Sequence, residues 1–279
     1  MRGRPGQVSS RVAAFVPCLR TSAAAGLLCA LGLLFCCLAC PNARAEEPPP
    51  SKYGWREVWT GADAMGDVWL LYTGVTLAPW SEHVYDPGWR IRSQAGYGRY
   101  NYILRTDGKP SPYLGEVAYT DMLVGYHWRI GELTAKAFGG ASLIEHKALA
   151  EASNGRVVGL DWGPKGMLEL WLNVGTTQYT SLNLSFTTAH QTAAARWRWG
   201  VKLGEALSAG PELRFDTNAF RYQSYNEIFD SYLGRAGLFL TYKWPGVELS
   251  LAGGVSAEVT GIETDDVSPY GTINLLFQF

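Results

Sequence analysis

The sequence predicts an all-β chain: an antiparallel up-and-down transmembrane β-barrel of about twelve strands behind a cleaved leader. Three observations predict it. All five cysteines, Cys18, Cys29, Cys36, Cys37 and Cys40, fall within the first 45 residues. The remainder alternates apolar and polar residues at period two. The connections between the alternating segments tend to switch between long and short.

Residues 1–45 carry four arginines among the first twenty, an apolar stretch from Ala23 to Ala39, and the end Ala43-Arg44-Ala45. A basic start, an apolar middle and a small-residue end are the three parts of a secretory signal peptide. The apolar stretch is shorter than the roughly 20 residues of a membrane helix. A short periplasmic segment, 46–54, follows, and residues 55–279 form the barrel. The leader holds five arginines and no acid, which leaves 19 basic and 25 acidic side chains and a net charge of about −6. That charge argues against nucleic acid as a partner, because such proteins concentrate positive charge on one face. Without cysteine, a closed hydrogen-bonded sheet or a large core must hold the exported chain together.

The expected strands are 55–63, 67–79, 88–102, 116–130, 132–147, 166–175, 179–190, 193–203, 208–218, 231–244, 247–259 and 269–279. The clearest is Arg196-Trp197-Arg198-Trp199-Gly200-Val201-Lys202-Leu203, where Trp197, Trp199, Val201 and Leu203 share one face and Arg196, Arg198 and Lys202 the other. The last strand sets Ile273, Leu275, Phe277 and Phe279 against Thr272, Asn274 and Gln278. Period two recurs at 89–100, 122–130, 133–143, 236–244 and 247–259, where Glu132, Thr134 and Lys136, then Glu248, Ser250, Ser256 and Glu258, mark the polar face. Long connections are expected at 103–115, 148–165, 219–230 and 260–268, and tight ones at 130–132, 204–206 and 245–246. Long loops outside and short turns inside, with both termini periplasmic, produce this pattern. Two connections do not fit it: 191–192 is short where a long loop belongs, and 80–87 is long where a turn belongs. Trp80, Trp89, Trp128, Tyr242 and Trp244 fall near strand ends, as interfacial rings do. A soluble sandwich or lipocalin-like barrel would share the alternation, since period two alone does not tell lipid from a protein core.

Several stretches resemble one family: Glu57-Val58-Trp59-Thr60-Gly61-Ala62-Asp63, Tyr72-Thr73-Gly74-Val75-Thr76-Leu77-Ala78-Pro79, and Gly88-Trp89-Arg90-Ile91-Arg92 with Gly96-Tyr97-Gly98-Arg99-Tyr100. Further matches in the same order are Leu133 to Gly140, Gly210-Pro211-Glu212 and Leu249 to Ser256. From about Trp55 to Phe279 the chain resembles the cellulose biosynthesis protein BcsS family. The resemblance implies an outer-membrane barrel that assists the making or export of bacterial cellulose, with no established catalytic residues. The partners implied are outer-membrane lipid and lipopolysaccharide, cellulose or another β-glucan, and cellulose-secretion components.

If the apolar face meets lipid, Arg90, Arg92, Arg129, Lys136, Arg196, Arg198, Arg214, Arg235 and Lys243 line the lumen among Glu132, Glu169, Glu212, Asp216, Glu248 and Glu258. Trp69, Tyr100, Phe138, Trp171 and Phe239 are expected there too. Arginines and rings suit a glucan, the first for its hydroxyls and the second for the apolar faces of its sugars. Mutual pairing of the charges would instead plug the barrel, and a closed barrel acting through its loops is the alternative role. Twelve strands give a lumen narrower than that of the large porins.

A barrel-embedded hydrolase or acyltransferase needs a nucleophile beside an oriented base. Only His127 is an inward histidine, on the strand of Asp121 and Arg129, with Ser142 on the next strand. The histidines show no metal-ligand spacing, and Glu263, Asp265 and Asp266 read as a solvated acidic loop. Gly96-Tyr97-Gly98 lies inside a strand, so no nucleotide cofactor is implied.

Overall fold

The computed structural model describes residues 54–66, 68–106, 109–148, 159–220, 229–260 and 267–279, and at 101–113, 148, 218–220, 229–232 and 258–260 the backbone alone. The expected leader, residues 46–53, the 261–266 acidic loop and the side chain of Glu258 lie outside the described residues. Twelve strands are present: β1 (Arg56–Met65), β2 (Val68–Leu77), β3 (Gly88–Thr106), β4 (Lys109–Ile130), β5 (Leu133–Ala148), β6 (Gly159–Val174), β7 (Gln178–Thr187), β8 (Thr192–Lys202), β9 (Leu207–Phe220), β10 (Phe229–Trp244), β11 (Val247–Thr260) and β12 (Ser268–Gln278). Each pairs with its sequence neighbours, and β1 pairs antiparallel with β12 from Glu57↔Gln278 to Met65↔Tyr270, which closes the barrel and leaves no free edge around its wall.

Every expected strand is found, with three corrections at the ends, the first that β7 stops at Thr187 rather than 190 because the chain turns at Ala189–Gln191. The expected connection 103–115 is mostly strand, because β3 and β4 stay paired out to Thr106↔Lys109. β6 begins at Gly159 rather than 166, since Gly163 and Pro164 are accommodated where β5 supplies pairing on one side and the β7 ladder has ended.

Alternation has the consequence the sequence predicts. Leu71, Met122, Leu160, Leu213, Leu238 and Val255 point outward and are exposed, Leu238 to 68%. Such a wall of apolar side chains is what a membrane-spanning barrel presents to lipid. Arg90, Arg92, Asp63, Asp121 and Glu212 point inward and are buried.

Six of the inward rings lie across the ladder from a glycine whose added Cβ they would meet: Trp59↔Gly74, Tyr72↔Gly61, Tyr119↔Gly96, Tyr100↔Gly115, Phe138↔Gly125 and Tyr179↔Gly200. A Cβ on Gly200 would lie 2.2 Å from the Tyr179 ring, and one on Gly96 2.3 Å from Tyr119. The ring therefore lies flat over the glycine, and the pair fills its place on the wall only together. Gly200→Val and Gly96→Val should each cost about 1–3 kcal/mol through overpacking. Gly139→Ala, with nothing within 4 Å of its Cβ, should change stability by about 0.5 kcal/mol or less. Urea midpoints of the folded band check both.

Candidate lumen site

The end of the barrel that holds Arg56 and Gln278 is covered on its β12–β4 side by the long connection that did not fit the expected pattern. Residues 78–87 fold inward, with Ala78 and Val84 buried. Arg90 holds them. Its Nη2 donates to the Val84 carbonyl at 3.0 Å and to the Asp86 carbonyl, and its Nη1 to the Trp89 carbonyl at 2.8 Å and Ser81 Oγ at 3.3 Å. His127 Nδ1 lies 3.2 Å from Arg90 Nη2. Gly88, at φ +147°, returns the chain into β3 in a conformation few side chains tolerate. The other misfitting connection, between β7 and β8, makes a 3-10 turn at Ala189–Gln191 that buries Ala189 and holds His190 and Gln191 at positive φ. Asp161 Oδ2 accepts from the His190 backbone N–H at 2.7 Å, and the His190 ring meets His146 edge to face at 4.8 Å. Tyr100 OH lies 2.9 Å from His146 Nδ1.

Between these ends, carboxylates tie arginines and lysines across the lumen. Glu212, fully buried, takes Arg196 Nε at 2.7 Å and Arg198 Nε at 2.5 Å on one oxygen and Tyr270 OH at 3.4 Å on the other. Asp63 takes Arg214 Nη1 at 2.8 Å, Arg235 Nη1 at 2.6 Å and Thr272 Oγ1 at 3.2 Å. Asp216 backs the same two arginines at 3.7 and 3.4 Å. Glu169 pairs with Arg92 and, at 3.9 Å, with Lys136. Asp121 takes Lys165 Nζ and Gln94 Nε2, both at 2.5 Å. Two of these sets are chords across the barrel. Asp63 on β1 meets β9 with three strands between them on the shorter way round, and Arg92 on β3 meets β6. The chords leave solvated space on the β6–β9 wall, where inward-facing Asn183 is exposed.

Of the expected lumen residues, Arg90, Arg92, Lys136, Arg196, Arg198, Arg214, Arg235, Tyr100, Phe138, Trp171 and Phe239 lie on the inward register. Arg129 is on that register but exposed at the rim. Trp69 is not in the lumen. It is 36% exposed and packs edge-on to Tyr97 on the outward face at 5.7 Å, because the parity of β2 is set by inward Gly74 and Thr76. The inward rings do not form a bare track. Arg92 covers Phe138 at 4.0 Å, Arg198 covers Phe239 at 4.5 Å, Trp171 stacks on Tyr179 at 4.0 Å, and Lys243 lies 5.6 Å from the Trp171 centroid. Ser142 does not approach His127. It pairs with Asp121, six residues along β4, or about 20 Å at 3.3 Å per residue.

Sequence reasoning missed Asp63, Asp121 and Lys165 as participants. Asp63 shares the parity of Glu57 and Trp59, and Asp121 that of His127, so the signal for their side was present. Lys165 lay in an expected loop.

No curated protein matches the chain. Among solved structures, the KdgM porin is similar over 80% of this chain and 99% of its own, at 9% identity and TM-score 0.44. LpxR from Salmonella typhimurium is similar over 80% and 100%, at 10% identity and TM-score 0.48. The transport unit of the autotransporter AIDA-I from Escherichia coli is similar over 84% and 93%, at 13% identity and TM-score 0.44. One family profile, described as cellulose biosynthesis protein BcsS, matches residues 58–279, which takes in nearly all of β1 and every strand after it. The chain therefore belongs to the cellulose biosynthesis protein BcsS family.

Proposed function

We propose that this barrel sits in the outer membrane with its termini periplasmic, and that it assists cellulose production by organising secretion as a closed barrel rather than by conducting glucan through an open lumen. The carrying observation is the crossed interior, where charges are tied to one another across the barrel and the 78–87 segment folds in at one mouth. A glucan chain stacking on rings would need faces that Arg92, Arg198 and Tyr179 already cover. The contacts to secretion components then fall to the connections at the end away from the termini, 149–158 and 221–228, and to the β3–β4 hairpin.

Two measurements test the reading. Purified protein in a planar bilayer should show no steady conductance and no response to cello-oligosaccharides, whereas conductance that the sugar blocks would establish a glucan path and overturn it. In cells, shortening 149–158 or 221–228 should lower cellulose output. The triple replacement Arg196→Met, Arg198→Met and Glu212→Met, which removes charge while keeping bulk, should leave output unchanged.

A further inference from the structure

We propose that residues 78–87 are a displaceable plug, latched by Arg90, that controls access from the terminus end to the solvated space beside Asn183. The inference rests on the closed-lumen reading above and adds that the closure is reversible.

The argument begins with how differently the two parts of the interior are held. The cross-lumen chords are ion pairs, and separating one strands a buried charge. Arg90 holds the plug through neutral groups. Arg90 is fully buried, yet among the described residues no carboxylate lies within ion-pair distance of it, and its donors go to three backbone carbonyls, a serine hydroxyl and the His127 ring. Its Nε has no partner among the described residues. When the segment leaves, Ser81 and the Val84 and Asp86 carbonyls exchange Arg90 for water, and the guanidinium, still on the Trp89 carbonyl of β3, is hydrated at the same time. Such an exchange has a small net free energy, unlike the opening of a buried ion pair.

The rest of the segment is built for movement as a unit. It contributes no strand to the barrel ladder. Two backbone bonds fix its base, Ala78 N–H to the Trp55 carbonyl at 2.9 Å and Val84 N–H to the Gly54 carbonyl at 3.1 Å. A local turn closes it, with Asp86 N–H on the His83 carbonyl. Pro79 and Pro87 stiffen its two ends, and Gly88 supplies the positive-φ joint to β3. Val84 is its one large apolar side chain that is fully inserted, while Trp80 is 73% exposed.

The barrel region contains no cysteine, so a single thiol reports on access. Asn183→Cys is introduced into the full-length expressed protein, purified from membranes. The rate of modification by a small membrane-impermeant thiol reagent is read at position 183 by peptide mass, which separates it from the leader cysteines. With the native latch, labelling should be slow. Arg90→Gln should speed it by about tenfold or more, as expected for the loss of hydrogen bonds to a charged group. A Val84→Cys and His127→Cys disulfide, which ties the plug to β4, should suppress labelling until it is reduced, and this arm stands even if Arg90→Gln folds poorly. Fast labelling of the native-latch protein, unchanged by the tether, would sink the closed-lumen reading itself. Slow labelling that neither Arg90→Gln nor reduction of the tether alters would leave that reading standing and overturn the latch.

Discussion

Replacing Glu212 with alanine is expected to destabilise the folded barrel by about 3–5 kcal/mol, the range for removing one member of a buried ion pair. Glu212 is fully buried and is the shared carboxylate of Arg196 and Arg198. Its loss leaves two guanidinium groups close together in a confined space, without the charge that allows their proximity. The measurement is the urea midpoint of the folded, heat-modifiable species in detergent or lipid. The triple replacement with methionine at 196, 198 and 212 separates the cost of an orphaned charge from the worth of the cluster. Well-packed apolar substitutes for a buried ionic group are often neutral or better, so the triple variant should recover most of the loss. A triple variant as unstable as Glu212→Ala would show that the ionic cluster is itself needed to hold the strands at their spacing.

Asp63→Ala is expected to cost about 3 kcal/mol, at the lower end of the same range because Asp216 stays within 4 Å of both Arg214 and Arg235. Its kinetic signature should differ from that of Glu212. Arg196, Arg198 and Glu212 lie on the adjacent strands β8 and β9, so their contacts form as soon as that hairpin does. Asp63 is on the first strand and reaches β9 and β10 only once β1 meets β12. A contact made at closure and absent from the transition state shows its loss in the unfolding rate. Asp63→Ala should therefore unfold faster with little change in folding rate, measured by band-shift time courses in both directions. A slowed folding rate would place ring closure before the rate-limiting step.

Alternation made the strands and most of the inward set legible. Where one parity is charged and the other apolar, as from Arg196 to Leu203, side and register follow together. Trp69 shows where that signal fails. In Val68-Trp69-Leu70-Leu71-Tyr72 both parities are apolar or aromatic, and the side is decided several residues later by Gly74 and Thr76. Ion-pair partners were illegible for a different reason. Parity tells which way a side chain points, but a chord such as Asp63 to Arg214 spans 151 residues of sequence and depends on barrel closure and shear. The two misfitting connections were visible as anomalies of length. Their inward folding was not, because it depends on Arg90 finding carbonyls and His190 finding Asp161 once the wall exists. At 103–115 the sequence also holds Asp107-Gly108, a dipeptide that favours a two-residue hairpin connection.

That hairpin gives the molecule a lopsided contact surface. Pairing of β3 with β2 stops at Arg99 and pairing of β4 with β5 stops at Gly115, whereas β3 and β4 remain paired to Thr106↔Lys109. Past the barrel wall the ribbon is thus two strands wide among the described residues, with no other described strand paired to either margin. On β4 that margin carries Pro110 and Pro112, which have no N–H to offer an incoming strand. On β3 residues 100–106 contain no proline. The two margins therefore differ in kind: one lacks backbone donors at two positions, whereas the other keeps an N–H at every residue.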